Sequence, residues 1–140
     1  MEDRARPADG VGIGVAEKLA MAGHRVQLCI NGYMPGQNIH QYARDSAVGR
    51  LHKLGVEWRP YLRLRGADAQ RVYLQHTMSG EQVVREGVDT LVLCVWHERV
   101  AELVDGLGTM DIEVNMAGDC LAARTTEEAV LEGLKVGCRI

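Results

Sequence analysis

Two clusters in this 140-residue chain have residue types and spacing that could do chemistry. One is Gly118-Asp119-Cys120, which follows Ile112-Glu113-Val114-Asn115-Met116 and precedes Thr125-Thr126-Glu127-Glu128. Apolar residues at 112, 114 and 116 alternate with polar ones, the period of a strand. Thr125 and Glu128 have capping-box spacing, which predicts a helix running from there to Arg139. Glu127 and Glu128 would lie at the positive end of its dipole, and Lys135 and Arg139 at the negative end. Ala129, Val130, Gly133, Leu134 and Gly137 give one face whose small residues would allow close approach to a sheet. A carboxylate at a strand tip beside a helix N-terminus suits the ribityl or phosphate oxygens of a nucleotide. The same pattern also fits a loop aspartate in any α/β protein.

The other cluster is Gly10, Gly12 and Gly14, ahead of a helix through Ala22 that should stop at Gly23. Val11, Val15, Leu19 and Ala22 repeat at helical spacing. Glycines there let a phosphate approach backbone N–H groups, as in a dinucleotide-binding turn. The spacing is G-x-G-x-G, however, and no strand is visible upstream, since Met1 to Ala8 holds no β-branched or aromatic residue. A glycine-rich helix start packed on a sheet explains the residues equally well. The next strand, His24 to Ile30, ends in Asn31-Gly32-Tyr33. A carboxylate to hold an adenosine ribose is missing there, which counts against NAD-selective binding.

The remaining reactive residues are dispersed. Histidines 24, 40, 52, 76 and 97 form no H-x-x-x-H or H-E-x-x-H pair, so no metal site is expected. Trp96-His97-Glu98 could line a pocket at a strand end, or simply cap the strand. Cys29, Cys94, Cys120 and Cys138 contain no C-x-x-C, so neither zinc nor an iron–sulfur cluster is assigned. Cys120, next to Asp119, has no histidine near it in sequence and reads as a small buried thiol. Ser46 and Ser79 lack a nucleophile elbow. No self-contained catalytic constellation emerges.

Composition narrows the class. A net charge of −3 without a Lys/Arg run gives no surface for nucleic acid. The longest apolar run, Leu91 to Trp96, is too short to span a bilayer, and the charged first residues are no secretion signal. Reduced thiols in a cytoplasmic protein are the expectation. The length fits one domain with a modest core.

These clusters must be positioned by the elements between them. Ile39, Tyr42, Ala43, Ala47, Leu51 and Leu54 mark a helix ending at Gly55, followed by a short strand at Val56 to Trp58. Leu62 to Leu64, Val72 to Leu74 and Val83-Val84, the last after a Ser79-Gly80 turn, predict an antiparallel meander. Thr90 to Trp96 reads as a strand buried on both faces, covered by a helix bearing Val100, Leu103, Val104 and Leu107. The order implies an α/β class: a Rossmann-like three-layer domain with a parallel sheet and a small antiparallel meander, its first strand absent or rewritten as Met1 to Ala8. A missing central strand leaves backbone and apolar faces uncovered, so self-association is expected.

Two segments together resemble one enzyme family. Gly12 to Val26 (G-x-G-V-A-E-K-L-A-x-A-G-H-R-V) and Ala117 to Ile140, opening A-G-D-C-L-A-A-R-T-T-E-E-A, are similar to the C-terminal region of NADH:flavin oxidoreductases. That family is typified by 2,4-dienoyl-CoA reductase, trimethylamine dehydrogenase and histamine dehydrogenase. The resemblance implies that residues 1–111 form an NAD(P)-binding-like inserted domain, incomplete at its N-terminus. Residues 112–140 would be the returning strand and helix of an FAD- or ADP-binding domain. It implies that Gly118 and Asp119, with Cys120 beside them, meet the flavin's ribityl chain, and that Gly10, Gly12 and Gly14 occupy the inserted domain's glycine turn. FMN and an iron–sulfur cluster would sit in a barrel that this chain lacks. FAD or ADP is then the expected cofactor, and NAD(P)H is less favoured. The implied role is a nucleotide-binding portion of a larger flavoenzyme without turnover by itself. Its partners would be the rest of that enzyme or further copies. A non-catalytic subunit-contact or scaffolding module and a working NAD(P)H-binding domain are the alternatives.

Overall fold

The computed structural model describes residues 10–94 and 98–139. They fall into two compact units, divided between Val95 and Trp96. The expectations placed on Met1 to Ala8 and on Val95 to His97 lie outside the described residues.

In the first unit, α1 (Gly10–Met21) and α2 (Gln41–Lys53) flank a parallel pair, β1 (Gln27–Cys29) and β2 (Glu57–Arg59). Both helices stop where glycine follows. His24 N–H closes on the Leu19 carbonyl at 3.1 Å around Gly23, and Val56 N–H on the Leu51 carbonyl at 3.0 Å around Gly55. The core between the helices and β1–β2 is Ile13, Ala16, Leu51 and Val56, with Ala20, Val26, Leu28, Ile39 and Ala47 packed around it. The buried face of α1 therefore carries Ile13 and Ala16, while Val11 is half exposed. The expected Val11–Val15–Leu19 stripe does not carry the packing. Small and apolar residues surround the start of α1, so periodicity there marks two faces, and Ile13 wins by volume. Tyr42, expected on the inner face of α2, is 84% exposed.

A three-stranded meander follows: β3 (Leu62–Ala67), β4 (Arg71–His76) and β5 (Gln82–Glu86), antiparallel in the order β3-β4-β5. Leu64 faces Leu74 and Leu74 faces Val83, so alternate residues build a second cluster of Leu62, Val72 and Leu74. A bulge between Leu64 and Gly66 breaks the β3 register. The two sheets are joined through backbone: Ile30 N–H donates to Arg59 O at 3.0 Å, and Leu62 N–H to Ile30 O at 2.8 Å. Cys29 of β1 packs against the meander's cluster.

The second unit holds α3 (Glu102–Leu107), a 3-10 turn at Gly118–Cys120 and α4 (Thr126–Gly137). None of its described residues is buried. The α/β class is the observed one, with a parallel pair and an antiparallel meander. Two expected strands are not formed: 90–94 and 112–116 have no ladder. A strand is completed by a neighbour's N–H and C=O groups, and among the described residues β1 and β2 pair only with each other. That pairing leaves an outer edge open on each of the two strands, yet the apolar run and the period-2 run both stay irregular: a strand pattern alone does not make a ladder. Leu91, Val92, Leu93, Ile112 and Val114 are consequently exposed. On α4, nothing stands within 4 Å of where a Cβ on Gly133 or Gly137 would lie. Among the described residues, no helix is long and apolar enough to cross a membrane.

Candidate functional site

Gly118-Asp119-Cys120 forms a single tight turn packed on α4. Gly118 adopts φ +71°, a conformation that side-chain-bearing residues resist. Its carbonyl accepts from Leu121 N–H at 3.0 Å and Ala122 N–H at 3.1 Å. Its own N–H donates to Glu132 Oε2 at 2.8 Å, one carboxylate of α4 reaching back to the turn. Glu132 in turn pairs with Arg124, so the segment between turn and helix is tied at both ends. Cys120 points inward, its thiol donating to Ala117 O at 3.1 Å. Asp119 is exposed, and among the described residues its carboxylate has no hydrogen-bond or ion-pair partner.

The helix behind this turn starts as its spacing predicts. Thr125 and Glu128 form the reciprocal capping box, with Thr125 N–H donating to Glu128 Oε2 at 3.0 Å. The Thr125 hydroxyl donates to the same carboxylate, which holds Glu128 below the usual carboxylate range. Glu127 and Glu128 occupy the first turn. The helix start is thus already satisfied by its own carboxylate, while Asp119, like Glu127, faces solvent.

Gly10, Gly12 and Gly14 lie inside the first turns of α1 rather than in a loop ahead of it, and Gly12 is buried. The space next to them is taken by the segment after β1. Pro35 and Gly36 are buried there, and Gly36 has φ +66°. A Cβ on Gly36 would stand 2.9 Å from Ile13 Cδ1 and 3.0 Å from Ile39 Cδ1, while Ile39 Cδ1 lies 3.8 Å from the Cβ position of Gly10. Ile39 is therefore wedged between the two glycine segments. The two predicted clusters belong to different compact units, Gly10–Gly14 to the first and Gly118–Cys120 to the second.

Several groups were not singled out in the sequence. Glu132, the residue that anchors Gly118, looks like one more surface glutamate of an amphipathic helix. Cys29 and Arg59 end β1 and β2 as register partners, and Arg85 lies opposite Val72 on β5. Burial pushes the Cys29 thiol up, opposed by the charges of Arg85 and then Arg59. The signal for Arg85 was present in the alternation Val83-Val84-Arg85, which places it on the same side as Val83. Ser79, by contrast, makes a local turn with His76, its backbone N–H donating to His76 Nδ1 at 3.1 Å.

No family model matches the sequence, and no curated protein matches it. Solved structures share its fold. The chain is 24% identical to 6-hydroxypseudooxynicotine amine oxidase from Pseudomonas geniculata N1, over 91% of this chain and 20% of that one, with a TM-score of 0.78. For histamine dehydrogenase from Rhizobium sp. 4-9 the identity is 19%, the coverage 91% and 21%, and the TM-score 0.79. A 2-naphthoyl-CoA reductase in complex with 2-naphthoyl-CoA gives 23% identity, 95% and 20% coverage and a TM-score of 0.75. The chain thus spans about a fifth of the length of these proteins.

Proposed function

We propose that this chain is the C-terminal nucleotide-binding portion of a flavin-dependent oxidoreductase, with no turnover of its own. The observation that carries the reading is the fold shared, over nine-tenths of the chain, with one fifth of an amine oxidase and of a histamine dehydrogenase. The A-G-D-C sequence supports it, because the turn it makes leaves the Asp119 carboxylate exposed with its backbone braced by Glu132. In this reading residues 1–111 are the NAD(P)-binding-like inserted domain and residues 112–140 the returning end of an FAD- or ADP-binding domain. Asp119 would accept hydrogen bonds from a ribityl or ribose hydroxyl, with Gly118 and Cys120 shaping the turn beneath it. FAD or ADP is the proposed ligand. The redox chemistry belongs to flavin and iron–sulfur groups held by the remainder of the parent enzyme.

A nicotinamide nucleotide at Gly10, Gly12 and Gly14 is disfavoured by the same structure. Ile39 packs beside Gly10, and no carboxylate follows β1 at Asn31-Gly32-Tyr33. A subunit-contact module is the second reading, favoured by the exposed α4 face, where Val130 is 67% and Leu134 62% exposed. Calorimetric titration of the full chain with FAD, ADP, NADH and NADPH separates the three. Binding of FAD or ADP supports the proposal, a nicotinamide nucleotide alone points to a working NAD(P)H domain, and no binding leaves the contact module. For that last reading, replacing Val130 and Leu134 by Glu should shift the mass seen in light scattering towards the monomer.

A further inference from the structure

His76, the last residue of β4, closes the turn to β5 with its side chain. The Ser79 backbone N–H donates to His76 Nδ1 at 3.1 Å, and the Ser79 hydroxyl lies 3.0 Å from the same nitrogen. A backbone N–H can only donate, so Nδ1 is the acceptor and the ring proton sits on Nε2. The hydroxyl in turn accepts the Glu81 N–H at 3.3 Å. His76 O accepts the Gly80 N–H at 2.8 Å, and the His76 N–H donates to Glu81 O at 2.8 Å, so backbone and ring of one residue hold the turn together.

A strained residue is tied to the same turn. Tyr61 has φ +56°, the one positive φ outside glycine among the described residues, and a tyrosine resists that left-handed conformation. Two backbone bonds keep it there. Thr77 N–H donates to Tyr61 O at 2.7 Å, and Tyr61 N–H to Gly32 O at 2.9 Å. The Tyr61 ring also meets the His76 imidazole edge-on, with centroids 5.8 Å apart. A continuous path therefore runs from the His76 ring through Thr77 and Tyr61 to Gly32, in the loop after β1. Sheets of the α/β class receive ligands at that end of their strands. The titratable groups around the ring are the Tyr61 phenol and, across the turn, Glu81, while its register partner on β3 is the apolar Leu62. Among the described residues no carboxylate pairs with the imidazole to favour its charged form.

We infer that His76 is a pH-operated latch between the β4–β5 turn and the loop after β1. Protonation puts a second N–H on the ring at Nδ1, facing the Ser79 N–H donor to donor. The Ser79 hydroxyl can turn to accept the new proton, but the backbone amide loses its acceptor and the ring leaves the turn. Thr77, next in the chain, moves with it and gives up its bond to Tyr61 O. Tyr61 then relaxes to negative φ and releases Gly32. The latch is shut while His76 is neutral and opens as the ring becomes charged, within the range of about pH 5 to 8 in which histidine titrates. It operates whatever Asp119 binds.

An NMR titration of the isotope-labelled full chain from about pH 8 to 5 tests the latch. That range leaves Glu17 and Glu128, both held below 4.5, ionised. The Ser79, Thr77 and Tyr61 amides should shift with the midpoint of the His76 ring protons. Amide protection at Thr77 and Tyr61, corrected for intrinsic exchange, should fall by about tenfold once His76 is charged, the equivalent of one neutral hydrogen bond lost. Leu51 should keep its protection. His76→Asn offers an amide oxygen that accepts the Ser79 N–H and does not titrate, so Thr77 and Tyr61 should stay protected at both ends of the range. Protection at these two amides that is unchanged across the His76 titration would overturn the latch. So would the same acid response in His76→Asn. Should that variant fail to fold, the parent chain decides alone, by whether the Thr77 and Tyr61 amides follow the midpoint of His76 or those of His24, His40 and His52.

Discussion

Glu132 accepts the Gly118 N–H at 2.8 Å from a position 14 residues further along the chain. That one bond joins the Gly-Asp-Cys turn to the second turn of α4 and places the ion pair with Arg124 beside it. Replacing Glu132 by Ala removes both. A hydrogen bond to a charged acceptor contributes about 1–3 kcal/mol, so Gly118 amide exchange should rise by roughly tenfold or more. Exchange at Leu51, in the core of the first unit, should not change. An unaltered Gly118 rate would show that the turn is held by something else.

Acid should loosen two carboxylate-held places. The Arg50 guanidinium, 2.5 Å from Glu17, and the Thr125 hydroxyl on Glu128 hold these carboxyls below their ordinary value of 4.5. A carboxyl whose pKa is depressed by folding adds stability above the unfolded value and loses it as pH falls through the folded one. The α1–α2 link and the α4 start should therefore be intact above about pH 5 and weaken progressively below 4.5. Glu128→Gln should remove the acid-dependent part of α4 fraying in an NMR pH titration. A titration identical to that of the parent chain would exclude the capping carboxylate as its source.

Gly36 is the position where a single methyl should do most harm. Its φ of +66° disfavours any other residue, and an added Cβ meets two isoleucine methyls at 2.9 and 3.0 Å. Left-handed strain costs about 1–2 kcal/mol and overpacking about 1–3, so Gly36→Ala should destabilise by roughly 2–4 kcal/mol in urea unfolding. Gly14→Ala, where nothing lies within 4 Å, should be neutral or mildly stabilising. Equal losses at the two positions would contradict the packing described around Ile39.

What could be read from sequence was what is settled locally. Gly23 and Gly55 ended their helices, Thr125 and Glu128 capped α4, and the Ser79-Gly80 turn returned β5 onto β4. Apolar character alone misplaced the rest. Leu91 to Cys94 and Ile112 to Met116 have strand patterns, but they form no ladder, which pattern alone does not create: it takes pairing with a neighbouring strand's N–H and C=O groups. Periodicity chose Val11 over Ile13 because it counts apolar residues and not the volume they bring to the core. The order of the candidate turn was legible in Gly-Asp-Cys, whereas its brace, Glu132, was not, since a bond across that separation leaves no spacing rule behind. Arg85 escaped notice because an arginine in a short strand is ordinarily a solvated one.

The most direct test of the proposed function is the affinity of the full chain for FAD and for ADP, measured beside Asp119→Ala. Asp119 is exposed and makes no bond that holds the fold, so the substitution should leave thermal unfolding unchanged. Loss of one good charge-assisted hydrogen bond corresponds to roughly 1.5–3 kcal/mol, or about tenfold to a hundredfold weaker binding. The account predicts binding of FAD or ADP by the parent chain and that loss in Asp119→Ala. Equal affinity in both proteins, or no binding by the parent chain, would contradict it.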